Sequence, residues 1–221
     1  MVLVPSINWD NTQYILLCNE RLFNCLNLGL IVEDIYMSDY ETEIATLAGG
    51  CFWCLEAVFQ QVHGVKRIVS GYCGGHSVDP SYEQVCAETT GHAETVQVTF
   101  DPQIITYKDV LGIFFAIHDP TTLNRQGNDV GARYRSVIFY DSPEQEKTGR
   151  IAITELDTAN VWDSPIVTEV NPLCMFYVAE AYHQDFYLNN KYQPYCQVVI
   201  TPKLAKFRKD HLGKVSPLTS N

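Results

Sequence analysis

Residues 43–72 read EIATLAGGCFWCLEAVFQQVHGVKRIVSGY, and the change of periodicity along them decides the fold. Ile44–Ala48 is a short apolar run of strand length. Phe52–Gln61 has helical spacing and is stopped by His63-Gly64, after which Val65–Tyr72 reads as a second strand. Outward from this strand-helix-strand unit, a Gly-rich loop runs through His92. Thr95–Phe100 then alternates like a strand, Tyr107–His118 follows Thr106 as a capped helix, and Ser136–Tyr140 reads as a buried strand.

The six elements spell β-α-β-β-α-β, the split βαβ order of a two-layer ferredoxin-like α+β sandwich, although the same string can seed other two-layer sandwiches. Ser142-Pro143-Glu144-Gln145 starts a further helix, running to about Asn160 and expected beside the two earlier ones. Extra C-terminal helices and coil follow: a strand near Ile166–Val170, a polar-aromatic stretch through Tyr195, and a basic helical segment at Leu204–Leu212 with no evident place. Residues 1–42 show weak periodicity and are expected to be a partly disordered extension. One folded domain is expected over 43–214, with a tail at 215–221.

With 221 residues, 46% hydrophobic and 19% charged, the chain can bury a sizeable core. Its net charge of -11 is concentrated at the start, where Arg21 stands against seven acidic residues in 1–43. Neither part suits a nucleic-acid backbone. The apolar runs at Tyr14–Cys18 and Leu26–Val32 are interrupted by polar residues and lack signal-peptide flanks, so neither secretion nor a membrane span is expected. Eight cysteines without a secretion signal then point to free thiols in a reducing, cytoplasmic setting.

Cys51 follows two glycines and opens a helix, where unpaired N–H groups and the helix dipole favour a thiolate; a strand-helix junction also simply tolerates a small buried Cys. Phe52 and Trp53 fit a core as well as a socket for a small sulfur-bearing group. Cys54 completes C-x-x-C, a redox pair or half of a zinc site whose other ligands would have to be Cys73, His76 or Cys86. Their irregular spacing disfavours zinc, and no bound metal is expected. Glu94, at the entry of an alternating strand, becomes an acid if buried and is otherwise a solvated strand end. Tyr82 and Tyr134 are loop tyrosines on this reading, and Asp129 can be a turn residue. A general disulfide oxidoreductase using Cys51 and Cys54 leaves Glu94 and the tyrosines unexplained.

Taken together, seven segments resemble the A-type peptide methionine sulfoxide reductases. They are Gly49–Cys54, Gly71–His76, Tyr82–Cys86, Thr90–Glu94, His118–Thr122, Asp129–Gly131 with Tyr134-Arg135-Ser136, and Ala181–Phe186. The match runs from about Ala48 to Lys214. The resemblance implies a ferredoxin-like catalytic domain that reduces the S epimer of methionine sulfoxide, free or within oxidised proteins. It implies that Cys51 attacks the sulfoxide sulfur, Phe52 and Trp53 enclose the S-methyl group, and Glu94 protonates the oxygen with Tyr82 and Tyr134 bonded to it. Asp129 would fix the loop on the substrate side. The resulting Cys51 sulfenic acid would pass to a disulfide reduced by thioredoxin, or by dithiothreitol in vitro, with no bound cofactor. Many relatives carry Gly where Cys54 stands, and some resolve through C-terminal cysteines. Cys54 is therefore expected as the resolving thiol, with Cys196 second and Cys86 a packed structural cysteine. A monomer is expected, without nucleic-acid or membrane partners.

Overall fold

The computed structural model describes residues 42–210, 213 and 215, so the expected extension and tail lie outside the described residues apart from 42 and 215. The chain runs β1 (Glu43–Gly49), α1 (Phe52–Phe59), β2 (Val65–Cys73), α2 (Tyr82–Cys86), β3 (Ala93–Phe100) and α3 (Tyr107–Ile117). A small hairpin, β4 (Arg125–Gln126) and β5 (Asp129–Val130), leads to β6 (Ser136–Tyr140) and α4 (Pro143–Thr158). β7 (Glu169–Pro172), β8 (Tyr177–Val178), α5 (Phe186–Asn189) and α6 (Thr201–Asp210) complete it.

Six strands form one mixed sheet in the order β7-β6-β1-β3-β2-β8. Only the β6–β7 pair is parallel. The fold is α+β. Neighbours along a strand point to opposite faces, so each strand contributes to two separate clusters. Leu47, Tyr72, Val96, Val98 and Ile138 face the helices in one core, whereas Ala48, Cys73, Ala93, Val137 and Phe139 form a smaller cluster on the other face. Glu94 pairs with Tyr72 across β3 and β2, so it shares the helix side, beneath the start of α1.

Helix starts follow their caps. Thr106 and Asp109 form a reciprocal capping box on α3, and Ser142 accepts from the Gln145 N–H at α4 with Pro143 in its first turn. Cys51 caps α1 with extended backbone but its thiol accepts no capping hydrogen bond from the helix N–H groups, and no acidic residue lies in the first turn. Gly50, at φ +87°, supplies the sharp entry that a side chain would strain.

Two expectations shift. The strand near Ile166–Val170 lies instead at Glu169–Pro172, because Val167 N–H is taken by the Pro120 carbonyl and Thr168 by the Ser136 hydroxyl, leaving 169–172 to pair with β6. The basic helical segment is α6, and Leu204 and Phe207 bury in the main core. Together with α5 it covers α1, every residue of which except Trp53 is buried.

A buried carboxylate ties this cover down. Glu56 of α1 is 1% exposed and accepts from Asp185 N–H at 2.9 Å, Phe186 N–H at 3.0 Å and the Ser70 hydroxyl at 3.3 Å. It thereby fixes the start of α5, which Asp185 enters through a left-handed backbone. Glu56→Gln places an amide NH2 against one of two N–H donors, and urea denaturation should show a loss of about 1–3 kcal/mol. Unchanged stability would mean that the carboxylate does not hold the segment.

Candidate active site

Cys51 sits at the β1–α1 junction and is 6% exposed. The Gln126 side chain lies over Gly50, where an added Cβ would meet its Cγ at 2.5 Å. Gln126 is itself locked by two hydrogen bonds with the Asp119 backbone, both at 3.1 Å. The β4–β5 hairpin is thus seated directly on the glycines that precede the cysteine.

The N–H of Phe52, an orphan donor of the first helical turn, donates to Glu94 Oε2 at 3.1 Å within the buried interior. Glu94, 2% exposed, therefore caps α1 from a neighbouring strand. Burial pushes its carboxyl up to about 8, only partly opposed by the Phe52 N–H and the positive charge of Arg133. At neutral pH it carries a proton that it can give away. The solvated-strand-end alternative for Glu94 does not describe this environment.

The two thiols of C-x-x-C are in hydrogen-bond contact. Cys51 is pushed up by burial and by its partner Cys54, whereas Cys54 is brought down to about 7, chiefly by the Cys51 hydrogen bond. The two thiols therefore share their first ionisation, which begins near neutral pH. Burial beside a second thiol opposes the N–H groups of the helix terminus, so the first charge belongs to the pair and not to Cys51 alone.

Tyr195 is a site residue that the sequence pattern does not reveal. Its hydroxyl donates to Asp129 Oδ2 at 3.0 Å and lies within hydrogen-bonding reach of both thiols. It stays protonated, its ionisation disfavoured by burial and then by the charge of the Cys51–Cys54 pair. Asp129 thus meets the site through Tyr195, and its turn role does not exhaust it. Tyr82 opens α2 behind a Ser81 capping box, and its N–H donates to Glu180 at 2.9 Å while its hydroxyl lies within reach of the Cys86 thiol. Tyr134 ends a short 3-10 turn, with the Arg133 guanidinium 4.5 Å from its ring centre. Burial keeps both phenols neutral, Tyr134 also feeling the nearby Glu94.

Aromatic rings close the wall. Phe52 is fully buried and lies 5.9 Å from Tyr72 and 5.1 Å from His183, ring centre to ring centre. Trp53, only partly buried, stacks on Phe186 at 3.6 Å and donates its indole N–H to His183 Nδ1 at 3.1 Å. That bond leaves the His183 proton on Nε2, 3.7 Å from Glu180. His183 lies within the family-like segment Ala181–Phe186, but nothing local points to its indole contact.

Cys196 follows Tyr195 in the chain, is buried at the start of a π-helical turn, and is pushed up by burial and then by the charge of Cys54. Cys73 is directed to the opposite face of the sheet, where it meets Cys174 and not the C-x-x-C thiols. Among the described residues no His, Cys, Asp and Glu group of three or more is gathered as a metal would need.

Residues 43–215 match the family model described as "Peptide methionine sulfoxide reductase". A protein named peptide methionine sulfoxide reductase MsrA from Chromobacterium violaceum is 54% identical over 167 residues, 76% of this chain and 95% of that protein. One of the same name from Saccharolobus solfataricus is 56% identical over 173 residues, 78% of this chain and 97% of that protein. Among solved structures, Mxr1 of Saccharomyces cerevisiae in reduced form superposes with TM-score 0.67 at 34% identity, covering 72% of this chain and 91% of that one. Methionine sulfoxide reductase A of Corynebacterium diphtheriae gives 0.62 at 33% identity, covering 69% and 78%.

The shared charge of the thiol pair has a direct readout. Alkylation by iodoacetamide should titrate with a first midpoint near 7. Cys54→Ala should move it upward, because the remaining Cys51 is buried without a thiol partner. A midpoint in the ordinary thiol range of about 8.5 for the intact protein would refute the pairing.

Proposed function

The chain belongs to the peptide methionine sulfoxide reductase family, and from that premise we propose how its own residues carry the reaction. It is a thiol-dependent methionine sulfoxide reductase; the assignment of roles rests on one observation, a buried protonated Glu94 held by the N–H next to a hydrogen-bonded Cys51–Cys54 pair.

Substrate presents its S-methyl group to the wall of Phe52 and Trp53 and its oxygen to Glu94, Tyr82 and Tyr134. The Cys51 proton passes along the hydrogen bond to Cys54, leaving Cys51 as the thiolate. Cys51 attacks the sulfoxide sulfur while Glu94 protonates the oxygen, which is otherwise a poor leaving group. Two neutral phenols are suited to stabilise the oxygen without competing for the proton. The oxygen ends on Cys51 as a sulfenic acid and methionine leaves. Cys54, again a thiol and already in contact, attacks the Cys51 sulfur, and the hydroxyl leaves as water with the Cys54 proton. An external dithiol supplies two electrons and two protons to reopen the disulfide.

The same reading takes the S epimer, free and in oxidised proteins, as substrate and thioredoxin as reductant, with no resident cofactor. It places the enzyme in a reducing, cytoplasmic compartment as a monomer without nucleic-acid or membrane partners. No helix among the described residues is long and apolar enough to cross a membrane. The catalytic domain is assigned to 43–214. The central order β6-β1-β3-β2, with antiparallel neighbours, supports the ferredoxin-like description.

Turnover of both epimers with dithiothreitol tests the assignment. The S epimer should be reduced, and Cys51→Ser should abolish reduction. Glu94→Gln should slow a single turnover on the order of 100-fold and remove the falling limb that the wild type shows above about pH 8, where Glu94 loses its proton. Activity surviving Cys51→Ser would sink the nucleophile, and an undiminished Glu94→Gln rate would sink the acid.

The resolving step has its own test, by mass mapping after one turnover without reductant. Wild type should yield a Cys51–Cys54 disulfide. A Cys51–Cys196 linkage there would transfer the role to Cys196.

A further inference from the structure

Between β7 and β8, which occupy opposite edges of the sheet, residues 173–176 cross the face turned away from the helices. Leu173 N–H starts the crossing on the Tyr140 carbonyl at 2.7 Å. Leu173 and Phe176 pack on the cluster that contains Cys73, and the Phe176 ring fills the space over Gly71. The crossing then pairs as β8 with Gly71 and Tyr72, and Ala179 N–H donates to Ser70. Immediately beyond lies Glu180, which receives both the Tyr72 hydroxyl and the Tyr82 N–H. The crossing is therefore the tether of one wall of the active site.

In the middle of it, Cys174 Sγ lies 3.5 Å from Cys73 Sγ. Cys174 is exposed, Cys73 is fully buried, and the Gly74 N–H donates to Cys174 Sγ at 3.3 Å. The Arg135 guanidinium donates to the Gly74 carbonyl at 3.3 Å and is close enough for both sulfurs to act on its charge. An oxidant-accessible sulfur, an N–H donor, a nearby cation and a second sulfur in van der Waals contact are the parts of a redox-responsive dithiol.

We propose that Cys73 and Cys174 form a second redox site, separate from Cys51 and Cys54, which peroxide converts to a disulfide that staples the crossing segment to β2. Strand alternation keeps the two sites on opposite faces of the sheet, so the second disulfide does not take part in turnover. Cys174 meets hydrogen peroxide first: its sulfur takes one oxygen to become a sulfenic acid, and water leaves. The Cys73 sulfur then attacks the Cys174 sulfur, the S–O bond breaks, and the hydroxyl leaves with the Cys73 proton as a second water. Two thiols lose two electrons and peroxide gains them. An external dithiol reverses the step.

The linkage would join residues 101 positions apart in the chain, so its constraint on the unfolded chain is large. The result is an enzyme whose site wall is held more firmly under the oxidising conditions that generate its substrate.

The test uses the full chain, reduced, desalted and treated with a small excess of hydrogen peroxide. Thiols are blocked with N-ethylmaleimide, and a non-reducing digest is mapped by mass spectrometry. The expected result is a Cys73–Cys174 peptide pair in wild type and equally in Cys51→Ser. Tm should rise by about 5 °C or more on oxidation, return with dithiothreitol, and stay unchanged in Cys174→Ser. Reduced Cys174→Ser should keep wild-type reductase activity. Cys174 recovered unlinked, or joined to any other cysteine, overturns the site; a Cys73–Cys174 linkage with no change in Tm overturns the staple. Because linkage and melting are read without substrate, neither outcome depends on the roles assigned to Cys51 and Glu94.

Discussion

The hydrogen bond from Phe52 N–H to Glu94 is the contact on which the site depends. A helix that begins inside the protein leaves donors that water cannot reach, and α1 has no cap of its own to satisfy them. Glu94 satisfies one, and in doing so places a buried carboxyl next to the cysteine that opens the helix. A single interaction thus sets the entry of α1, the position of the acid and the spacing between acid and thiol pair. It also requires the short side-chain-free turn at Gly49-Gly50, since any atom added at Gly50 would displace Gln126.

The remaining geometry is imposed by the C-terminal third of the chain, which folds back over α1. Glu56 grips the backbone at Asp185 and Phe186; Phe186 stacks on Trp53; His183 accepts from the Trp53 indole. Glu180 meanwhile joins Tyr72 on β2 to Tyr82 on α2. Two buried or half-buried carboxylates therefore translate the course of one irregular segment into the placement of Trp53, Tyr72 and Tyr82. Such contacts are stiff because each acceptor is committed to more than one donor, and releasing either would strand a buried N–H or hydroxyl.

The parts legible in the sequence are those carried by local pattern. Alternation along 95–100 and helical spacing after Thr106 mark β3 and α3 because burial on one side dictates both. Cys51 and Glu94 are legible as a candidate pair, but only the combined segments distinguish them from an ordinary buried thiol and a strand end. Tyr195, His183, Glu56 and Gln126 carry no such signal. Their partners lie far along the chain, as with the 130 residues between Trp53 and His183, and a single polar residue has no period to reveal it. The displaced strand at 169–172 has the same origin: Val167 and Thr168 are captured by Pro120 and Ser136, contacts invisible to pattern.

The acid at Glu94 also shows how the protein accommodates a group that works against its own stability. In the unfolded chain this carboxyl titrates near 4.5; in the fold, burial takes it to about 8. Because the folded value is the higher one, its contribution to stability is fully present below the unfolded value and is lost as pH rises through the folded one. Between those limits folding takes up a proton, so the protein spends stability at neutral pH to keep the acid loaded. The Phe52 N–H limits that loss by favouring the charged form, yet it cannot reverse it while the site remains dry. A stronger cap, or an open path to water, would recover stability by discharging the acid. The depth of burial at Glu94 is thus a compromise between holding α1 in place and keeping a proton where a sulfoxide oxygen needs one.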